Sequence, residues 1–167
     1  MNALAVELDA LADTRGLWSA WLADASRRYA SIAGLDAAAL PEDRGEAAAQ
    51  LDAWAEHGIG DWRAALARFA ADHAPVHLRR DAAVAAALRA LAGRGVRLGV
   101  FTDAPEPYAR VVLAQLGADR RVEAVEAGTG ALERLLAELG EAEVARTRDE
   151  LIRAADYDPV HGAQGAR

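Results

Sequence analysis

From Val96 onward the chain alternates short apolar runs with amphipathic helical stretches, and this alternation limits the fold more than any other feature. Val96-Arg97-Leu98-Gly99-Val100-Phe101, Val122 to Ala127 and the weaker Glu143 to Arg146 have the length and composition of strands. Residues 107–116, 130–139 and 148–156 carry helical spacing between and after them. Strand and helix in strict turn favour a parallel sheet with right-handed crossovers. A further apolar run, Ala3 to Leu8, ends at Asp9 and supplies a buried first strand. The expected fold is therefore α/β, with a small four-stranded Rossmann-like parallel sheet.

Between the first strand and the alternating half lies a helical block. Leu17, Trp18, Trp21, Leu22, Ala25 and Tyr29 recur at spacings of three and four, and Gly34 is a stop. Leu35 to Glu46, with Pro41 and Gly45, reads as a connection. Helices follow near 46–57 and 61–73, parted by Gly58 and Gly60, with Asp61 as a cap and Pro75 closing the block. Residues 81–93 form one more helix, capped by Asp81 and ended by Gly93, and the glycine-containing tail 158–167 reads as disordered. All four tryptophans, Trp18, Trp21, Trp54 and Trp62, belong to the block. Read simply they form its own small core with one or two exposed; read functionally they line a lid or an interface.

Composition removes several classes of function. The 167 residues suit one compact domain, or a core with a small lid. There is no cysteine, which excludes disulfides, thiolate metal sites and cysteine nucleophiles. The net charge of −7 comes from interspersed acids and arginines, leaving no basic stripe to follow a nucleic acid backbone. Glu7 and Asp9 interrupt the N-terminal apolar run, no basic flank precedes it, and no segment reaches the length of a membrane span. A soluble, cytoplasmic protein without nucleic acid or membrane partners is expected, with oligomerisation left open.

Two strand ends carry candidate chemistry. The first reads Val6-Glu7-Leu8-Asp9-Ala10-Leu11-Ala12-Asp13-Thr14, followed by about 60 helical residues; the second reads Leu98-Gly99-Val100-Phe101-Thr102-Asp103-Ala104. A third segment runs Val144-Ala145-Arg146-Thr147-Arg148-Asp149-Glu150-Leu151. Together, in this order, they resemble the haloacid dehalogenase superfamily of phosphatases and related hydrolases. Its first motif is a strand ending Asp-x-Asp-Gly-Thr, its second a strand ending in Ser or Thr, and its fourth Val-Gly-Asp-Ser/Thr-x-x-Asp. The resemblance implies a core of residues 1–14 and 78–167 with a helical cap at 15–77. It also implies an aspartate nucleophile, an acid-base aspartate two residues on, Mg²⁺ held by carboxylates at the strand ends, and a lysine on the transferred group.

The chain departs from that pattern at several positions. Glu7 stands where the nucleophile would be, one methylene too long, and a misplacement of about 1 Å costs about 10²-fold in rate. Asp9 matches the second aspartate, and alternation along a strand would put it on the face of Glu7. The Gly-Thr that should follow is replaced by Ala10-Leu11, one residue shorter. All 19 basic residues are arginine, so the lysine has no counterpart except Arg134 in the corresponding helix region. Arg146 replaces the metal-binding aspartate, and Glu150 alone keeps a carboxylate there.

The candidate site is thus Glu7 and Asp9 at degenerate catalytic positions and Thr102, Asp103, Arg134 and Arg146 for an anion or ligand. Glu7, Asp9 and Glu150 would serve a metal only if one binds. Ordinary strand-end ion pairs are the plain reading of Glu7 and Asp9, and helix capping that of Thr102 and Asp103. Arg146 is expected to point into the pocket and pair with Glu7, Asp9 or Glu150 in the metal's place. Two functions follow: a non-catalytic relative that binds a small anion or a protein partner and needs no cofactor, or a weak Mg²⁺-dependent phosphohydrolase. Gly128-Thr129-Gly130 lacks the third glycine of a dinucleotide loop, because Glu133 stands there. His73 and His77 have the spacing of metal ligands on one helix, with Pro75 between them arguing against a continuous helix.

Overall fold

The computed structural model describes residues 1–32 and 40–157. Gly34, part of the expected connection and the tail 158–167 lie outside them. The strands are β1 (Ala3–Glu7), β2 (Arg97–Thr102), β3 (Ala124–Ala127) and β4 (Glu143–Ala145). The helices are α1 (Leu8–Leu11), α2 (Arg15–Tyr29), α3 (Arg44–Ala55), α4 (Trp62–His77), α5 (Ala82–Gly93), α6 (Glu106–Leu116), α7 (Ala131–Leu139) and α8 (Arg148–Asp156).

The sheet is wholly parallel, in the order β3-β2-β1-β4, so the α/β Rossmann-like expectation holds. Register puts Glu7 beside Phe101 and Thr102 beside Ala127, which gathers the strand ends that bear polar residues on one edge. In open parallel sheets this carboxyl edge is where ligands bind.

The strands are almost continuously apolar because both faces are covered. On one face Leu4, Val6, Leu98 and Val100 pack with Val84, Leu88 and Leu91 of α5, Val112 and Leu113 of α6, and Leu151 of α8. On the other, α7 lies across Ala3, Ala5, Phe101 and Ala124 through Ala131, Leu135 and Leu139. Gly99 is what lets α7 approach β2. A β-carbon there would fall 2.6 Å from Leu135 Cδ1 and 2.9 Å from Leu139 Cδ1.

All four tryptophans are buried, and they belong to the same apolar cluster as β1 and β2. Among the described residues the helical block therefore has no separate core and exposes none of its tryptophans, contrary to the simple expectation. Trp18 donates its indole N–H to the Glu42 carbonyl and Trp62 to Asp52. Asp43, Asp61 and Asp81 cap α3, α4 and α5 by accepting backbone N–H bonds, and Asp43 starts α3 two residues earlier than expected.

Pro75 does not close α4, which runs on to His77. A proline this near a helix end costs one backbone bond in the last turn, and Leu78 N–H still bonds to the Ala74 carbonyl. His73 and His77 thus share a helix after all. His73 is nonetheless occupied, stacked on Phe69 at 3.9 Å and with Nδ1 2.9 Å from the Phe69 carbonyl oxygen. Among the described residues no three metal-binding side chains gather, and no helix is long and apolar enough to cross a membrane.

Candidate functional site

β1 ends at Glu7, and the chain turns at once into the single helical turn α1. Asp9 therefore sits in the first turn of a helix and not on the strand, so strand alternation does not govern its direction. The departure from the motif coincides with this turn: Ala10 and Leu11, where Gly-Thr was expected, are both buried in the core.

Asp9 is bound by a cation from the helical block. Arg44, the first residue of α3, is only 7% exposed and sends Nη1 to Asp9 Oδ2 at 3.1 Å and to Asp103 Oδ1 at 3.3 Å. Its Nη2 donates to Thr14 Oγ1 at 2.6 Å and lies 3.4 Å from Asp9 Oδ1. The Thr14 hydroxyl in turn donates to Asp9. Tyr108, fully buried on α6, donates its hydroxyl to the Thr14 carbonyl at 2.8 Å. The guanidinium also lies 5.9 Å from the ring centre of Trp18 and 5.7 Å from that of Tyr108, and those two rings meet edge to face at 5.4 Å.

The electrostatics follow from this enclosure. Burial acts to lower the Arg44 pKa, but Asp9, Tyr108 and Asp103 more than offset it, so the guanidinium is held above its ordinary value. Burial pushes the Tyr108 hydroxyl up to about 12. Glu7 is raised above 4.5, first by burial and next by the neighbouring Asp9 charge, with Arg146 and Arg44 opposing.

The other candidates are dispersed. Thr102 is buried and accepts the Ala104 N–H at 3.1 Å, closing the turn after β2. Asp103 does not cap α6, whose N-cap is Pro105; it faces Arg44 instead. Arg134 is committed to the β3–α7 loop, with Glu126 at 2.6 Å and the carbonyls of Thr129 and Ala127 at 2.7 and 2.6 Å. Glu150 forms a capping box with Thr147 and also accepts the Arg146 backbone N–H at 2.7 Å, which holds its carboxyl below the ordinary value. That cap turns Glu150 away from metal binding.

The expectation for Arg146 is corrected. Its guanidinium lies over the Phe101 ring at 5.5 Å and makes no ion pair with Glu7, Asp9 or Glu150, although its charge is near enough to oppose the rise in Glu7. Glu150 is taken by the helix cap, and Asp9 already has Arg44. The replacement cation exists, but it comes from the helical block. Sequence reasoning missed Arg44, Thr14 and Tyr108; a lone arginine directly after the capping Asp43 was the one available signal.

Beside this network, a cleft of about 680 Å³ separates α3 from the β3–α7 loop. Asp52, Asp103, Glu106 and Glu126 line it, against Arg63 and Arg134. Arg63 is held by Asp52 at 2.5 Å, so both lining arginines already have carboxylate partners within the cleft.

No family model matches the chain. Over 99 residues it is 41% identical to a phosphoglycolate phosphatase of Rhodospirillum rubrum, a match covering 52% of this chain and 41% of that protein. The chain thus spans about two-fifths of the length of that relative. This partial likeness to a haloacid dehalogenase-family enzyme suggests that superfamily, and the four-stranded parallel sheet is consistent with its Rossmann-like core.

Proposed function

We propose that the chain is a haloacid dehalogenase-like protein that has given up phosphatase chemistry and works by binding or assembly. Residues 1–14 and 78–167 act as its core and residues 15–77 as its cap. The observation that carries this reading is the Arg44 guanidinium on Asp9 and Asp103. Phosphatases of this superfamily typically use Mg²⁺. The donor set here does not fit such an ion: a permanent cation already engages two of the carboxylates, and Glu150 is committed to a helix cap.

The charge of the cleft supports a protein partner over a small phosphate ester. Asp52 and Glu126 hold the two lining arginines, and Asp103 and Glu106 are paired with Arg44 and Arg110, so an anion entering there meets no unpaired lining arginine. A weak phosphohydrolase remains the second reading, favoured by the retained Asp9 and by Glu7 beside it, whose pKa burial and the Asp9 charge raise. A panel of phosphate esters with Mg²⁺, run on the wild type and on a Glu7→Gln, Asp9→Asn double variant, separates the two. Equal background rates support the binding protein; activity lost in the variant supports the enzyme.

A further inference from the structure

Arg44 is held as a ligand is held. Two carboxylates, a hydroxyl and two aromatic rings from four separate parts of the chain converge on one planar cation. Asp9 comes from α1, Thr14 from the turn before α2, Trp18 from α2, and Asp103 and Tyr108 from the region after β2. None of these groups lies on α3, the helix that delivers the guanidinium. The pocket is therefore formed by the rest of the molecule and merely filled by α3.

The arrangement also discriminates among cations. Asp9 is approached by both Nη atoms, at 3.1 and 3.4 Å, while Nη2 reaches Thr14 and Nη1 reaches Asp103. A flat fork with several N–H donors satisfies these acceptors together, whereas an ammonium has a compact tetrahedral donor set. The rings of Trp18 and Tyr108 offer π faces and edges in place of the further oxygen ligands that a hard divalent ion requires.

We infer that Asp9, Thr14, Asp103, Trp18 and Tyr108 form a guanidinium receptor, self-occupied by Arg44, which accepts an external guanidinium group in competition with that residue. It deepens the binding reading above, resting on it only for a site that works without a metal. Mg²⁺-dependent turnover by the wild type would remove that reading; the guanidinium result is read on a different protein and by a different signal.

The test vacates the pocket with Arg44→Ala and follows thermal unfolding in low-millimolar methylguanidinium, with methylammonium, MgCl₂ and NaCl as controls. Methylguanidinium should raise the variant's Tm by about 3–6 °C at ten times its dissociation constant, and the wild type's by much less. Acetylargininamide distinguishes the source. Stabilisation by it as well fits an arginine side chain carried on a partner, whereas stabilisation by methylguanidinium alone fits a small compound. Equal stabilisation by methylammonium or Mg²⁺, or none by either guanidinium compound, overturns the inference. Should Arg44→Ala not fold, NMR of the wild type reads the competition directly. Saturable shifts of the Arg44 Nε proton signal on adding methylguanidinium, absent with methylammonium, are expected; a signal unchanged by methylguanidinium overturns the inference.

Discussion

Arg44 and Asp9 are 35 positions apart in sequence and 3.1 Å apart at the end of β1, where the guanidinium of one helix closes over the carboxylate of another. This contact ties the helical block to the strand ends. It also joins Thr14, Tyr108 and Asp103 into one network, so the site is best tested by removing its members singly.

Arg44→Met should destabilise the fold by about 2 kcal/mol in urea denaturation. Breaking a fully buried ion pair costs about 3–5 kcal/mol, but Asp9 and Asp103 stay partly hydrated and recover some of it. A loss under about 0.5 kcal/mol, the level of an exposed pair, would contradict a structural role for the contact.

Tyr108→Phe should cost about 1–2 kcal/mol, because the buried Thr14 carbonyl loses its donor. A pH signature accompanies it. The Tyr108 hydroxyl has its folded pKa raised from 10.0 to about 12, so its contribution is fully present below pH 10.0 and is lost as the pH climbs towards 12. Wild type and variant should therefore converge in stability across that window; a constant gap between them would argue against a buried, neutral hydroxyl.

Glu7→Gln should stabilise the protein at neutral pH. Folding raises the Glu7 pKa above 4.5, so its protonated form favours the folded state below that value and the advantage disappears as the pH rises through the folded pKa. Chemical denaturation from pH 4 to 7 should show the variant gaining on the wild type with increasing pH. A gap that widens in the opposite direction would mean that Glu7 is held as a carboxylate.

Much of this architecture could be read from residues in order. The strand at Leu98 to Phe101, the caps at Asp61 and Asp81, and the parallel sheet depend on local periodicity and turn chemistry, which neighbouring residues determine. The site was less legible. Glu7 and Asp9 could be placed at a strand end, but the helical turn at Leu8–Leu11 arises from packing Ala10 and Leu11 into the core. Arg146 looked like the compensating cation because it occupies a motif position; the actual cation, Arg44, lies in no motif. Its partners come from elements that only tertiary folding brings together. Pro75 misled for a different reason, since its penalty depends on where the helix ends, and α4 ends two residues later.

Gly99→Ala should destabilise the protein by about 1–3 kcal/mol, since the added methyl falls on Leu135 and Leu139. Combining it with Leu135→Ala should recover part of the loss by making room. If the single variant melts with the wild type, α7 does not approach β2 as closely as the packing requires.

The most direct measurement is calorimetric titration of Mg²⁺ into the wild-type protein at neutral pH and low ionic strength. If Arg44 serves as the counter-ion of Asp9 and Asp103, no saturable binding should appear into the millimolar range, and the Tm should not depend on Mg²⁺. A stoichiometric site of submillimolar affinity that is lost in Asp9→Asn would contradict the account, because the carboxylates would then hold a metal despite the guanidinium.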